Sequence, residues 1–297
     1  MPNRSRRPRR PPVWCRSSSG APVLEHLPIG LASDARGEAV TLDLVSEASH
    51  ILVQGQTRSG KSAFVMRLLA AALDSSSVVV AGADPSGVLL NPLRDHLRPD
   101  WRSITGADIG AHVAALDAVV AELDRRLRLL LELEQDKIET FTPDVPLVLV
   151  VLEEYPGLIA AAEDDDAASG RRAGQRFAPA IRRNVSRLVR ESAKVGFRIV
   201  TIAQRADAAV LGGNERSNYA VRVTLRVDNQ EAVRMLHPFC PAQLADAVHT
   251  FPQGVGLYQG PGRSAQRVDF PSFTYASYLG TVRGGMGPSR AGEVMTR

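Results

Sequence analysis

Residues 50–69 read HILVQGQTRSGKSAFVMRLL, and no other stretch of the chain restricts its fold so tightly. Ile51-Leu52-Val53 has the apolar, β-branched character of a short buried strand. Residues 63–73 are rich in helix formers. Between them, Gly55-Gln56-Thr57-Arg58-Ser59-Gly60-Lys61-Ser62 fits G-x-x-x-x-G-K-[ST], and strand, glycine-bounded loop and helix is the context in which that pattern cradles phosphate. Gly55 and Gly60 let the backbone curl so that successive N–H groups converge as an anion nest, and the helix adds the positive end of its dipole. The cradle so defined comprises Gly55, Gln56, Thr57, Arg58, Ser59, Gly60, Lys61, Ser62 and Ala63. Lys61 is placed to reach the β- and γ-phosphates of ATP, and the Ser62 hydroxyl to ligate Mg²⁺.

A chain of 297 residues accommodates one large α/β domain or two small ones. The longest strongly apolar run, residues 145–152, is far short of the ~18 residues of a membrane span. The Arg-rich start has no apolar segment after it and so does not read as a signal peptide. Cys15 and Cys240 are too few and too far apart for a disulfide framework or a zinc site. These observations point to a cytoplasmic protein whose only metal arrives with its nucleotide. The net charge is +4, but residues 1–16 hold six arginines and no acid, which leaves the remainder at −2. The basic character is therefore that of a tail. Residues 1–20 are expected to be a disordered arm, either gripping DNA phosphates or serving solubility. Residues 281–297 are expected to be a disordered tail, with the globular domain occupying 21–280.

Along that domain, residues 21–44 suggest a β-ribbon and residues 77–83 (SVVVAGA) a buried strand. The strand ends in Asp84-Pro85-Ser86-Gly87, a ligand-facing turn or a plain one. Residues 109–134 form an amphipathic helix, with Val113, Leu116, Val120, Leu123, Leu127 and Leu130 in steps of three and four. Residues 146–152 (PLVLVVL) are apolar throughout, which implies a parallel strand covered on both faces. Glu153 and Glu154 cap that strand, which is expected to lie adjacent to the loop strand. Glu153 is assigned to Mg²⁺ and Glu154 to the general base that orients and deprotonates water. Two carboxylates side by side also raise one pKa, which suits a base. Residues 163–172 read as a polar, solvated excursion. Residues 177–194 read as a helix whose Arg182, Arg183, Arg187 and Arg190 either track a phosphate backbone or form a solvated face. Residues 197–202 form a strand beside the acid-bearing one, with Gln204 at its tip to sense the γ-phosphate. A further strand over 219–227 is flanked by Arg216 and Arg222, and residues 252–270 suggest a closing β-ribbon.

Taken together, these segments resemble the FtsK/SpoIIIE family of RecA-like motors over roughly residues 27–271. LPIG, the 37–40 turn and the loop itself look like that family's entry into its phosphate site. ADPSG resembles its Asp-Pro-Lys-Gly turn with Ser86 for Lys, and LDRRL its Arg-Arg pair. LVVLEEY resembles its hydrophobic-Asp-Glu-aromatic motif, with Glu153 where Asp is usual. VGFRIVTIAQRAD resembles its Thr-Gln-Arg-Pro strand, without the Pro. The resemblance implies a RecA-like P-loop NTPase fold, a mostly parallel sheet flanked by helices with β-ribbon additions. It further implies a homo-hexameric ring driving double-stranded DNA by ATP hydrolysis in conjugative, phage or chromosome transfer. Arg216 or Arg222 would act in trans, and the absence of a membrane span leaves room for a separate membrane-anchor or targeting subunit. A protein-secretion motor of the type VII kind and a weakly hydrolysing ATP-binding adaptor are the alternatives.

Overall fold

The computed structural model describes residues 23–47, 50–95, 97–104, 106, 108–205 and 212–284. The arm at 1–20 and the part of the tail beyond 284 lie outside them. Chain order is β1 (Pro28–Asp34), β2 (Ala39–Asp43), β3 (Ile51–Gln54), α1 (Lys61–Ala72), β4 (Val78–Ala83), β5 (Arg102–Ser103), α2 (Ile109–Glu132), β6 (Leu147–Leu152) and α3 (Tyr155–Ser169). There follow α4 (Phe177–Glu191), β7 (Phe197–Ala203), α5 (Gly213–Arg216), β8 (Val221–Thr224), α6 (Gln230–Leu236), α7 (Ala242–Ala247), β9 (Val255–Gln259), β10 (Gln266–Asp269) and α8 (Tyr275–Gly284).

Among the described residues the strands form one sheet in the order β2-β1-β10-β9-β8-β3-β7-β6-β4-β5. From β8 to β5 all neighbours run parallel. From β8 through β9, β10, β1 and β2 they alternate antiparallel. This is a RecA-like P-loop α/β sheet carrying β-ribbon additions. The strand expected beside the loop strand is one place further out. β7 lies between β3 and β6, in register with both, Val200 opposite Ile51 on one side and Val151 on the other. Every position of β6 and β7 is buried, because helices cover both faces of a central parallel sheet. On one side α2 packs on α4 and β4, and on the other α1 packs on α8 and β1. A smaller apolar cluster gathers Val227, Val233, Val248, Phe251 and Leu257 around α6 and α7.

Two of the sequence boundaries shift. Residues 163–169 are not a loop, for α3 runs through them, with Leu158, Ile159, Ala162 and Asp166 on its buried side. Asp166 accepts the amides of Phe177 at 2.7 Å and Ala178 at 3.0 Å, tying down the start of α4. Arg171 pairs with Asp165 and lies 3.8 Å from the centre of the Phe177 ring. The acids at 163–165 are solvated, as their charge requires, but they occupy the outer face of a helix. At the other end, α8 carries ordered chain from 275 to 284, and the buried Tyr278 hydroxyl donates to the Leu89 carbonyl at 2.7 Å.

The Arg125-Arg126 pair divides into one surface and one interior residue. Arg126 is fully buried. Its guanidinium donates to Glu122 at 2.7 Å and to the carbonyls of Pro146 at 2.9 Å and Val195 at 3.0 Å, 4.9 Å above the Phe197 ring. It therefore joins α2 to the entries of β6 and β7. Arg125 pairs with the same glutamate from a half-exposed position. Removing one partner of a buried ion pair costs about 3–5 kcal/mol, against about 1 kcal/mol or less for an exposed one. Arg126→Ala is accordingly expected to lower the urea midpoint by an amount equivalent to at least ~3 kcal/mol, and Arg125→Ala by under ~1 kcal/mol, in equilibrium unfolding followed by circular dichroism.

Candidate functional site

The loop between β3 and α1 is held from behind by backbone alone. The Leu225 amide donates to the Gln54 carbonyl at 2.9 Å, and the Gln56 amide donates to the Arg226 carbonyl at 2.8 Å. The Gly254 amide donates to the Ser59 carbonyl at 3.1 Å, and Gly254 in turn accepts from the Phe270 amide at 2.7 Å. At Gly55, φ is +157°, and a Cβ there would stand 2.7 Å from Ser59 Oγ and 2.9 Å from Leu225 Cβ. Gly60 precedes α1 at φ +112°, with the Gly254 amide nitrogen 3.3 Å from where its Cβ would be. Both glycines are fixed by close approach as well as by conformation. Arg58 between them is also left-handed, at φ +64°.

Helix α1 begins at Lys61 with no side-chain cap. The Phe64 amide is the first to fold back, to Gly60 at 3.0 Å, so the amides of Lys61, Ser62 and Ala63 have no acceptor within the helix. That is the donor set an anion takes. Lys61 curls onto the loop, its Nζ donating to the carbonyls of Gly55 and, at 3.0 Å, Gln56. Burial pulls its pKa down, while Glu154 and Glu153 push it back up. Ser59 Oγ is buried without a hydrogen-bond partner among the described residues, and Ser62 is exposed. The bare helix start, the orphaned hydroxyl and the crowded glycines all fit a nucleotide phosphate. Ser62 and Glu153 are the oxygen donors suited to hold Mg²⁺.

Across β7 stand the two acids. Glu153 and Glu154 are half-buried at the tip of β6. Glu154 opens α3 from a left-handed conformation, φ +40°, a strained state for a side-chain-bearing residue. Its Oε1 accepts the Gln204 amide at 3.3 Å. The end of β7 thus hydrogen-bonds the end of β6, and the Gln204 side chain stands exposed beside Glu154. The carboxyl with a raised pKa is Glu153, pushed up to about 7 by burial, then by Asp84 and Glu154, with Lys61 opposing. Asp84 is itself buried, and its carboxylate is committed to its own turn. It accepts Ser86 Oγ at 2.7 Å, the Gly87 amide at 2.9 Å and the amides of Leu89 and Leu90 at 2.8 Å each. The plain-turn reading of Asp84 is the one its contacts support, though the turn also loads negative charge onto Glu153.

The remaining candidates lie on the far side of β3. Arg222 is held by its own chain, donating to the carbonyls of Tyr219 at 3.0 Å, Leu236 at 2.7 Å and Arg216 at 3.2 Å. The Arg216 guanidinium makes one long hydrogen bond among the described residues, to the Met235 carbonyl at 3.4 Å. In the arginine stripe of α4, Arg187 bonds Asp124 at 2.7 Å and Arg182 bonds Glu163 at 2.8 Å. Those two are committed within the molecule. Sequence reasoning did not single out Arg226 or Gly254 as supports of the loop. Both act through backbone atoms, which leave no trace in side-chain chemistry.

A ten-stranded sheet of this order, with a lysine-bearing phosphate loop and paired acids separated by one intervening strand, defines a RecA-like P-loop ATPase fold. The FtsK/SpoIIIE family model matches residues 24–238, and the chain belongs to that family. The DNA translocase FtsK of Treponema pallidum is 26% identical over 271 residues, spanning 85% of this chain and 30% of that protein. The corresponding protein of Staphylococcus aureus (strain Mu50) is 23% identical over 262 residues, 82% of this chain and 30% of its own length. This chain therefore spans about a third of either translocase. Among solved structures, the pCW3 conjugation coupling protein TcpA with ATPγS has a TM-score of 0.65 at 19% identity, covering 90% of this chain and 71% of that one. The cytoplasmic domain of the Thermomonospora curvata type VII secretion ATPase EccC has a TM-score of 0.61 at 20% identity, covering 88% and 31%. Among the described residues no helix is long and apolar enough to cross a membrane.

The raised carboxyl generates a measurable consequence. Between about pH 4.5 and 7, folded Glu153 keeps a proton that the unfolded chain has already released. Its contribution to stability is thus lost as pH rises through that window. In metal- and nucleotide-free protein, Glu153→Gln is expected to flatten this part of the dependence and to be more stable than wild type at pH 8. Urea midpoints at pH 5 and pH 8 check both statements.

Proposed function

We propose that this chain hydrolyses ATP and that hydrolysis drives double-stranded DNA past the protein. The observation that supports the first half is the bridge from the Gln204 amide to Glu154, which joins the tips of β7 and β6, with β7 the one strand between the acid pair and the Lys61 loop. In this reading, the loop amides and Lys61 bind the triphosphate and neutralise it. Ser62 and Glu153 would hold Mg²⁺, which when bound would supply charge neutralisation on the phosphate oxygens. Glu154 takes the proton of the attacking water, and its bond to the Gln204 amide fixes its orientation; the Gln204 side chain senses the γ-phosphate. A positive charge on the developing γ-phosphate would come from a second copy of the chain. Arg216 fits that role better than Arg222, whose guanidinium is occupied by three carbonyls and which holds the Arg216 carbonyl in place. The DNA half rests on family membership and on the translocases named above.

Lys61→Ala is expected to abolish nucleotide binding. Glu154→Gln should retain ATP binding and turn over at least ~10²-fold more slowly, the low end of general-base catalysis. Steady-state phosphate release with and without linear duplex DNA tests the cargo. Stimulation by duplex is the expected result, and turnover indifferent to DNA would remove the DNA half while leaving the ATPase.

A further inference from the structure

Phe239 is 92% exposed, ahead of Leu131 at 78% among the large apolar side chains of the described residues. It does not sit on a loose tip. The preceding His237 is buried, its Nε2 2.9 Å from Thr224 Oγ1 and its Nδ1 2.8 Å from Gln259 Oε1. The Cys240 amide closes the turn by donating to the His237 carbonyl at 3.0 Å. An aromatic ring is thus held in water by a turn pinned to β8 and β9. Isolated exposed apolar residues are common, but a rigidly presented aromatic is the usual anchor of an interface.

Two arginines reach the chain just before this turn. Arg222 donates to Leu236 and Arg216 to Met235, three and four residues before Phe239, within ~15 Å of extended chain. On the other side of the loop strand, an apolar cleft of about 150 Å³ lies between the Asp84 turn and α3. It is lined by Pro85, Ile109, Gly157, Leu158 and Ala161, with Glu154 at its rim. A cavity of about that volume accepts a benzene ring. Ring and cleft cannot meet within one molecule. Phe239 hangs from the β8–β9 side, and the cleft opens at the tips of β6 and β4, with β3 and β7 in between. Joining two different patches is a head-to-tail contact, the type that closes into rings. Charge favours the same pairing, since the ring travels with arginines and Glu154 lines the cleft.

We propose that Phe239 of one copy of this chain seats in the Pro85–Ala161 cleft of the next, carrying Arg216 to that copy's acid pair. The contact rests on the reading that an arginine acts in trans. It makes Phe239 the residue that sets the distance between the two.

Sedimentation velocity of the full chain with Mg²⁺ and ATPγS tests this. Wild type is expected to assemble. Phe239→Ala, and separately Ala161→Leu to fill the cleft, should each weaken assembly at least ~10-fold. Both positions are exposed, so the fold should survive. In a Cys15→Ser, Cys240→Ser background, Phe239→Cys with Ala161→Cys should give a ladder of cross-linked chains on mild oxidation, and neither single cysteine should. Unchanged assembly in both variants with no ladder would overturn the proposal while leaving ATP hydrolysis in trans intact. A wild type that stays monomeric with nucleotide and duplex DNA would overturn the proposal and the trans reading together. Hydrolysis by that monomer would show the site complete in one chain.

Discussion

Strand β7 separates Lys61 from Glu153 and Glu154, and its width governs the electrostatics of the site. Neighbouring strands lie about 4.8 Å apart, so the ends of β3 and β6 are separated by roughly 10 Å. At that distance both acids oppose the downward pull of burial on Lys61, and Lys61 opposes the rise of Glu153, yet they do not collapse into an ion pair. Lys61 satisfies itself on loop carbonyls, and Glu154 takes the backbone amide that β7 offers. A gap of this width suits a terminal phosphate and one water.

The gap is maintained by a core that leaves the central strands no freedom. β6 and β7 are buried at every residue, and their entry ends are joined to α2 by Arg126. Arg198 at the start of β7 does similar work, its guanidinium donating to the carbonyls of Leu44 and Val45, just after β2, at 2.7 Å each. Burial lowers its pKa to about 10. Strands positioned this firmly can hold Glu154 at a positive φ, a cost of about 1–3 kcal/mol that surrounding packing must offset.

Much of this was legible in the residues. The loop, the helix after it, the apolar acid-capped strand and the Gln204 strand all follow from local pattern, because each combines a strong periodicity with a marker at its end. Sheet order did not follow. The interposition of β7 is a matter of long-range pairing, and nothing in the local run LVLVVL says which neighbour it takes. Residues 163–169 read as a loop because four consecutive acids look like one, when the helical face is carried by Leu158, Ile159, Ala162 and the last of those acids, the buried Asp166. The raised pKa was foreseen from the paired carboxylates but not its location. Glu153 keeps its proton first through burial and then through Asp84, a residue 69 positions earlier in the chain that folding brings close.

The hold of the C-terminal ribbon on the nucleotide loop has a mechanical corollary. Phe270 grips Gly254, and Gly254 grips Ser59, each through one main-chain hydrogen bond. The antiparallel half of the sheet is therefore wired to the triphosphate cradle without any side chain as intermediary. Load applied to that ribbon, by a cargo or an adjoining segment, would reach the cradle in two bonds. Mutation could scarcely sever this linkage, because it has no side chain to remove, whereas proline at Gly254 or Phe270 would cut it by deleting the donor.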